Sequence, residues 1–280
     1  MYPRPNPLKA RLAADEHILG LFVQTPSPDA VEIAAAAGFH YAIIDLEHGS
    51  FGLTEALAMI RAAEASGICP LVRVPDQSPA MLRRVVEAGA MGVYVPDVRT
   101  ADQARAAIAA LRFKAGHNGG TRGACPTARA ARPRNAGWHD FVRWSNDELM
   151  VCLLVESAQG LRNLDEILGV PGIDTIVLGR FDLWHELGLE GDRYHEEIDR
   201  IFEDFASRAR AAGVRYATRL SSLEHAAARE QWQAAMARGE RVFTLGSDRQ
   251  LLLRAFEAAT APMAAGPGVA AAQKLALRVP

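Results

Sequence analysis

Charged side chains end four of the short apolar runs in this chain. Asp45 and His48 lie in the segment IIDLEHG, Arg73 in LVRVP, Glu156 in LLVES and Asp182 in LGRFDL. If these runs are parallel strands of one barrel, their carboxyl ends meet at one mouth and the charged groups gather there. Such a group of charges would be costly to bury without a function, because buried charges need partners.

Each of these residues supports a chemical role and a structural one. Glu156 and Asp182 offer hard oxygen ligands to a divalent cation, or they pair with an arginine and cap the next helix. His48 has the pKa range of a general base, with Asp45 as the carboxylate that orients its ring, or it is merely hydrogen-bonded. Arg73 presents a planar fork to a carboxylate or to a developing enolate oxygen, or it is a structural ion-pair partner.

Eight apolar runs alternate with alanine-rich amphipathic stretches between Ile18 and Ala259, at about 30 residues per unit. This rhythm predicts an α/β protein, a (β/α)8 TIM barrel. A doubly wound sheet is the alternative, but no GxGxxG follows the first strand. The predicted strands are Ile18–Val23, Tyr41–Asp45, Pro70–Val74, Gly92–Pro96, Met150–Glu156, Thr175–Gly179, Val214–Ala217 and Val242–Gly246.

One barrel domain is expected over residues 1–260, with a C-terminal tail over residues 261–280 that mixes Ala, Pro and Gly. The longest stretch between predicted strands contains Ala115–Gly123, which is too rich in glycine to be helical. We expect this segment to be a loop at the barrel mouth.

Composition narrows the function classes. The chain has 280 residues, 31 basic against 33 acidic, and therefore lacks the basic surface that a nucleic-acid partner requires. No apolar stretch is long enough to cross a bilayer, so we expect no membrane partner. The three cysteines have no CxxC spacing, which favours a reducing compartment and a cytoplasmic protein.

The segments IIDLEHG, LVRVPD, Val93–Ala107, TRGA, LLVES and LGRFDL, in this order, resemble the HpcH/HpaI family of metal-dependent class II pyruvate aldolases. The resemblance covers Ile18 to Ala259. It implies a (β/α)8 barrel whose C-terminal helix is exchanged between subunits of a homo-oligomer, a trimer or a hexamer.

The resemblance also implies roles for individual residues. Glu156 and Asp182 match the metal ligands, for Mg²⁺ or Mn²⁺ in the first place, with Co²⁺ or Zn²⁺ as alternatives. Arg73 matches the arginine that holds the pyruvyl oxygen and stabilises the enolate. His48 matches the catalytic histidine, with Asp45 as its partner carboxylate.

Three further positions match parts of the family's substrate site. The backbone N–H groups of Phe181 and Asp182 would bind the ketoacid carboxylate. Arg122 matches an arginine of the loop over the site, and we expect it to contribute to substrate binding. Glu87 matches an acidic residue that reaches into a neighbouring subunit's site, although a solvated glutamate at a helix end explains it equally well.

The chain departs from the family pattern at three places. Arg180 replaces a proline and Phe181 a small residue, so the pocket wall is altered. Leu154 stands where the aldolases often have a glutamine that helps to hold the ketoacid. The segment of residues 114–120 is longer and richer in glycine than its counterpart.

The predicted reaction is the reversible cleavage or formation of a C–C bond at C3 of pyruvate or a related 2-oxoacid, through a metal-stabilised enolate, with an aldehyde as the other partner. None of Lys9, Lys114 and Lys274 ends a predicted strand, which agrees with metal rather than Schiff-base chemistry. Alternatives are a related enzyme that uses oxaloacetate, by decarboxylation or condensation, or a CoA thioester, and a barrel that binds a carboxylate metabolite without turnover.

Overall fold

The chain folds into a closed barrel of eight parallel strands in a computed structural model that describes residues 5–114, 119–131, 137–189, 196–220 and 224–264. Each strand pairs with the next one along the chain, and β8 pairs with β1. The predicted (β/α)8 barrel is confirmed. The strands are β1 (Ile18–Val23), β2 (Tyr41–Asp45), β3 (Cys69–Arg73), β4 (Gly92–Val95), β5 (Met150–Val155), β6 (Thr175–Leu178), β7 (Arg215–Leu220) and β8 (Val242–Ser247).

Helices surround the barrel, and several begin at side chains that cap them. Ser27, Ser78, Thr100 and Ser157 each accept an N–H of the helix that follows. The described helices are α1 (Pro7–Ala13), α2 (Pro28–Ala36), α3 (Leu53–Ser66), α4 (Pro79–Ala88), α5 (Ala101–Leu111), α6 (Trp138–Glu148), α7 (Ala158–Arg162), α8 (Leu164–Leu168), α9 (Arg180–Glu186), α10 (Glu196–Ala211), α11 (His225–Ala237) and α12 (Asp248–Ala264).

The last helix, α12, extends into the predicted C-terminal tail. α12 continues through Ala264, so residues 261–264, which we assigned to the tail, are helical. Residues 265–280 lie outside the described part of the chain. The expected domain boundary at residue 260 remains a prediction.

Strand alternation sorts side chains into two layers. In β2, Ala42 and Ile44 pack against the surrounding helices, whereas Tyr41 and Ile43 fill the barrel interior. The same period of two directs Asp45, at the carboxyl end of β2, into the interior. Leu71 and Arg73 in β3, and Cys152, Leu154 and Glu156 at and after β5, follow the same rule.

The described part of the long segment before β5 lies at the other end of the barrel from where we predicted it. α5 runs back from the mouth, so the described residues between its end at Leu111 and the start of β5 lie at the amino ends of the strands. Phe113 forms a bridge with Arg122 there, and α6 leads directly into β5. The sequence shows that this segment is long, but only the order of elements shows which end of the barrel it covers. Residues 115–118 of the predicted loop lie outside the described residues.

Gly20 in β1 makes room for Tyr41, one of the two tyrosines buried in the barrel interior. A Cβ at Gly20 would overlap the ring of Tyr41. That ring is fully buried, and its hydroxyl donates to the backbone oxygen of Phe243 at 2.7 Å. The glycine therefore fixes the packing between β1, β2 and β8.

We expect Gly20→Ala to lower the free energy of unfolding by about 1–3 kcal/mol, because the added methyl group overpacks a buried site. Urea unfolding followed by circular dichroism measures this loss. Gly169→Ala is the matched control, since a Cβ there lies 3.5 Å from the nearest backbone oxygens. Equal stability of the two variants would contradict the close approach of β1 to Tyr41.

Candidate active site

A buried ion pair lies at the centre of the barrel mouth. Asp45 and Arg73 are register partners on β2 and β3. Nε of Arg73 donates to Oδ1 of Asp45 at 2.8 Å, and Nη2 donates to Oδ2 at 2.6 Å. Asp45 is 0% exposed. Burial by itself would raise the pKa of Asp45, but the hydrogen bonds and charge of Arg73 outweigh it and lower the pKa.

Asp45 also holds the backbone that follows β2. The N–H groups of Glu47 and His48 both donate to its Oδ1 at 3.2 Å, and Nε2 of Gln24 donates to Oδ2 at 2.9 Å. The expected contact between Asp45 and the imidazole of His48 is not formed, because Arg73, Gln24 and these N–H groups occupy the carboxylate. Asp45 positions His48 through the main chain instead.

Glu47 takes the place beside the imidazole that we had expected for Asp45. Its Oε2 lies 3.8 Å from Nε2 of His48 and 3.0 Å from Nη1 of Arg73. Burial, together with the charges of Asp45 and other mouth carboxylates, raises the pKa of Glu47 in spite of Arg73. The His48 side chain is 55% exposed. We predicted no role for Glu47, because its position in the sequence does not distinguish it from a solvated glutamate.

Glu156 follows β5 and faces the same space. Its Oε1 accepts the N–H of Asp97 at 2.7 Å. Burial, with the charges of Glu47 and Asp182, raises the pKa of Glu156 to about 7, although the Asp97 N–H opposes the shift. Gly179 allows this placement, because a Cβ there would lie 2.5 Å from Oε2 of Glu156.

Asp182 and Phe181 lie in the first turn of α9. The N–H groups of a first turn have no acceptor within the helix, and Gly179, the N-cap residue, supplies no side chain to accept them. The Asp182 carboxylate makes no hydrogen bond or ion pair with any residue that the structure describes, but its charge reaches Glu47 and Glu156. Phe181 is 53% exposed and packs against Trp184 with ring centroids 5.5 Å apart.

Arg180 does not point into the mouth. Its guanidinium pairs with Asp199 of α10 and lies 5.4 Å from the centroid of the Phe202 ring. Leu154, by contrast, is buried in the barrel interior with Tyr94 and Cys152. Of the departures from the family pattern, Leu154 therefore alters the barrel interior, whereas Phe181 alters the rim of the barrel mouth.

The donor set fits a divalent cation. Carboxylates outnumber arginines here, and Glu156 and Asp182 both have oxygen atoms without a hydrogen-bond donor among the described residues. Within that part of the chain no three His, Cys, Asp or Glu side chains are close enough to hold a metal by themselves. Two carboxylates leave coordination positions for water and substrate oxygens, which suits Mg²⁺ or Mn²⁺.

The structure places Glu87 and Arg122 together, but not with Arg73. Arg122 is buried, donates from Nη1 to Oγ of Ser145 at 2.8 Å, and lies 4.1 Å from the centroid of the Phe113 ring. Burial lowers its pKa to about 10, partly offset by the charge of Glu87. Glu87 lies in the last turn of α4 and Arg122 follows α5, and both helices run back from the mouth. In its own chain, then, Arg122 packs in an aromatic cluster rather than over the substrate site.

The chain is a closed (β/α)8 barrel with an arginine and several carboxylates at the carboxyl ends of its strands, where the active sites of barrel enzymes lie. Comparisons with known proteins identify the family. A model of the HpcH/HpaI aldolase/citrate lyase family matches residues 19–255. A hydroxypyruvate/pyruvate aldolase of Paraburkholderia phytofirmans is 31% identical over 256 residues, which are 89% of this chain and 94% of that protein. A 2-keto-3-deoxy-L-rhamnonate aldolase of Escherichia coli is 35% identical over 212 residues, covering 74% of this chain and 76% of the relative.

Solved structures of this family have the same fold as this chain. An HpcH/HpaI aldolase/citrate lyase family protein from Burkholderia cenocepacia J2315 superposes with a TM-score of 0.83 at 31% identity, covering 92% of this chain and 99% of that one. This chain belongs to the HpcH/HpaI aldolase/citrate lyase family. The predicted carbon–carbon lyase is confirmed. Across the described ranges, no helix has the length and apolar character needed to span a membrane.

We expect Gly179→Ala to weaken the binding of Mn²⁺ by about tenfold or more, because the new methyl group displaces the Glu156 carboxylate. Isothermal titration calorimetry with the folded variant measures the affinity. Gly169→Ala again serves as the control and should bind like the wild type. Unchanged binding in Gly179→Ala would argue against Glu156 as a ligand.

Proposed function

We propose that this protein is a metal-dependent class II aldolase that breaks or forms the C3–C4 bond of a 4-hydroxy-2-oxoacid, with pyruvate and an aldehyde as the other reactants. The observation that carries the proposal is the Asp45–Arg73 ion pair at one barrel mouth beside the incompletely partnered carboxylates of Glu156 and Asp182. The family and the aldolases named among the relatives support it.

Glu156 and Asp182 would hold Mg²⁺ or Mn²⁺, with Co²⁺ or Zn²⁺ as alternatives. When bound, the cation acts as a Lewis acid that polarises the ketoacid oxygens and lowers the pKa of the C3 protons. The chain needs no Schiff-base lysine for this chemistry. Lys9, for example, binds Asp174 and the backbone of Asp147, which precede β6 and β5 at the amino ends of the strands, opposite the mouth.

The guanidinium of Arg73 and two backbone N–H groups would hold the 2-oxoacid. Arg73 uses Nε and one N–H of Nη2 on Asp45, so further N–H groups of its fork remain for the C2 oxygen and for the enolate that develops from it. The N–H groups of Phe181 and Asp182 would bind the carboxylate. Because Asp45 orients the guanidinium in advance, little reorganisation is needed as negative charge forms.

His48 would move the proton of the C4 hydroxyl. Its imidazole is exposed to solvent at the mouth, which allows transfer through a water molecule, and Oε2 of Glu47 lies 3.8 Å from its Nε2. In the cleavage direction this transfer accompanies rupture of the C3–C4 bond, which releases the aldehyde and leaves the enolate at Arg73; the enolate then takes up a proton at C3 to give pyruvate. In the opposite direction pyruvate loses a C3 proton, the enolate attacks the aldehyde, and His48 returns a proton to the C4 oxygen.

A second copy of the chain would complete the site. α12 presents Leu252, Leu253, Phe256 and Met263 to solvent, and a contiguous exposed apolar patch marks an interaction site. We propose that this helix is exchanged between subunits of a trimer or hexamer, and that Glu87 reaches a neighbouring subunit's site. The three cysteines are free, in keeping with the cytoplasmic location we propose.

Leu154 favours a second candidate within the same family. An apolar side chain buried in the barrel interior cannot hold a ketoacid as glutamine would, so the bound oxoacid could be larger or oriented differently. Oxaloacetate, losing CO₂ to give the same enolate, or condensing with a partner, is the alternative substrate. The release of CO₂ from oxaloacetate, compared with pyruvate release from 4-hydroxy-2-oxoacids, distinguishes the two.

We expect the protein to exchange the C3 protons of pyruvate for deuterium in D₂O when Mg²⁺, Mn²⁺, Co²⁺ or Zn²⁺ is present. Mass spectrometry of pyruvate measures the rate. Arg73→Lys should slow the exchange about tenfold or more, since the fork that holds the enolate oxygen is lost while the charge beside Asp45 remains. EDTA should abolish exchange. Absence of exchange with all four cations, or exchange that survives EDTA, would sink the proposal.

Introducing charge on α12 tests the assembly. Leu253→Asp together with Phe256→Asp should shift the protein to a smaller species in light scattering coupled to gel filtration, because an apolar interface cannot accommodate two carboxylates. Glu257→Gln, on the same helix, is the control and should leave the mass unchanged. A wild-type protein that runs as a monomer would contradict the exchanged helix.

A further inference from the structure

Four residues form a hydrogen-bonded row across neighbouring strand ends at the barrel mouth. Asp248 follows β8, Gln24 follows β1, Asp45 ends β2 and Arg73 ends β3. The strands β8, β1, β2 and β3 are neighbours in the closed barrel, so each of these residues lies beside the next one. The row connects the first residue of α12 to the arginine at the centre of the mouth.

Gln24 continues the inward-facing side of β1. Phe22 packs in the barrel interior, whereas Val23 packs against the surrounding helices. The period of two therefore directs the side chain of Gln24 inward. Because Val23 is the register partner of Ile44, Gln24 comes to lie beside Asp45. Its Nε2 donates to Oδ2 of Asp45 at 2.9 Å.

This hydrogen bond fixes the carboxylate group of Asp45 from the side opposite Arg73. An ionised carboxylate only accepts hydrogen bonds, so the amide of Gln24 must present its nitrogen. Oδ2 of Asp45 has two donors among the described residues, Nη2 of Arg73 at 2.6 Å and Nε2 of Gln24. Without the amide, the guanidinium alone would hold this oxygen, and the two groups would be free to turn together. Since the amide is neutral, it does not compete with the charge of Arg73.

Asp248 holds the backbone of Gln24 in place. Its Oδ1 accepts the N–H of Gln24 at 2.9 Å, and its Oδ2 accepts the N–H of Thr25 at 3.0 Å and the Thr25 hydroxyl. Only 5% of Asp248 is exposed. Both oxygens of a buried carboxylate thus bind one dipeptide, which leaves the chain after β1 little freedom.

The orientation of Arg73 depends on these contacts. Nε and Nη2 of Arg73 bind Asp45, Nη1 lies 3.0 Å from Oε2 of Glu47, and the guanidinium carbon lies 4.7 Å from the centroid of the Phe22 ring. The carboxylate of Asp45 sets the plane of the guanidinium, and Gln24 helps to set the plane of the carboxylate. The oxygen of the enolate gains its charge only as the reaction proceeds. A change in this plane therefore weakens the transition state more than the bound ketoacid.

We propose that Gln24 is a positioning residue that keeps Arg73, by way of Asp45, in the orientation that receives the enolate oxygen. Asp248 anchors Gln24 in the position that this requires. The inference rests on the proposed aldolase function, in which Arg73 stabilises the enolate, and it adds a residue on which the rate of enolate formation depends. If Gln24 only held the chain after β1, the loss of its amide would act like the loss of Ser27, which caps α2 in the same loop.

A double-mutant cycle on the deuterium exchange of pyruvate with Mn²⁺ tests the proposal. Gln24→Leu keeps the backbone N–H but removes the amide, and it should lower kcat about tenfold while KM stays within about twofold of the wild type. Arg73→Lys leaves no planar fork for Asp45 to orient, so adding Gln24→Leu to it should slow exchange by less than about twofold. Effects that multiply, or an unchanged kcat in Gln24→Leu, would overturn the role of Gln24.

The binding of oxalate provides a readout without turnover. Oxalate is a planar dianion that resembles the enolate of pyruvate, whereas pyruvate has a neutral carbonyl oxygen at C2. With Mg²⁺ present, calorimetry should show that Gln24→Leu weakens oxalate binding about fivefold or more and changes pyruvate binding by less than about twofold. Equal losses for both ligands, or no loss for oxalate, would contradict the proposal.

Ser27→Ala is the matched control. It removes the hydroxyl that accepts the N–H of Ala30, so it should lower the urea midpoint of unfolding but leave kcat and oxalate binding at the wild-type values. A fall in kcat equal to that of Gln24→Leu would show that loosening the loop is sufficient, and would overturn the specific role of Gln24.

Asp248→Asn tests the anchor, because it turns an amide group towards the N–H groups of the loop. It should lower kcat as Gln24→Leu does, and combining the two should add less than about twofold. Thr25→Val, which removes only the hydroxyl bond to Asp248, replaces it if Asp248→Asn does not fold, and should lower kcat about threefold. A wild-type kcat in the folded variant would remove Asp248 from the proposal.

The same measurements separate this inference from the proposed function. If the wild type exchanges the protons of pyruvate and Gln24→Leu matches it, this inference alone fails. If the wild type exchanges pyruvate with none of the four cations and binds neither pyruvate nor oxalate, the proposed function fails.

Discussion

The ion pair between Asp45 and Arg73 constrains everything else at the barrel mouth. Two opposite charges buried on neighbouring strands must stay in register, because removing either partner leaves an uncompensated charge at a cost of about 3–5 kcal/mol. The pair holds the guanidinium in one orientation. It also holds the main chain after β2, through the N–H groups of Glu47 and His48. The Asp45 carboxylate thus sets the positions of the Arg73 guanidinium and of the main chain that carries Glu47 and His48.

The surplus of negative charge around that pair gives the site its chemistry. Glu47 and Glu156 both have raised pKa values because burial deprives them of water and neighbouring carboxylates repel their charges. A bound divalent cation would relieve this repulsion, which is the physical reason why the donor set favours one.

The departures from the family pattern fall into separate parts of the molecule. Arg180 turns towards α10 and leaves the substrate space unaltered, whereas Leu154 changes the interior and Phe181 the rim. Substitutions that look equivalent when they are read along the chain thus differ in consequence. Their effects on substrate choice follow from which side of the strand or helix each residue faces.

Local periodicity determined the fold and part of the site. The alternation of strands and helices predicted the barrel, and a period of two along β2 and β3 directs Asp45 and Arg73 inward, so these residues could be selected from the sequence. Partners could not. Only the tertiary structure showed that Asp45 binds Arg73 rather than the His48 ring, that Glu47 takes that place, and that Arg122 lies at the opposite end. Strand register and barrel closure join residues far apart in the chain, and spacing along a sequence carries no record of those contacts.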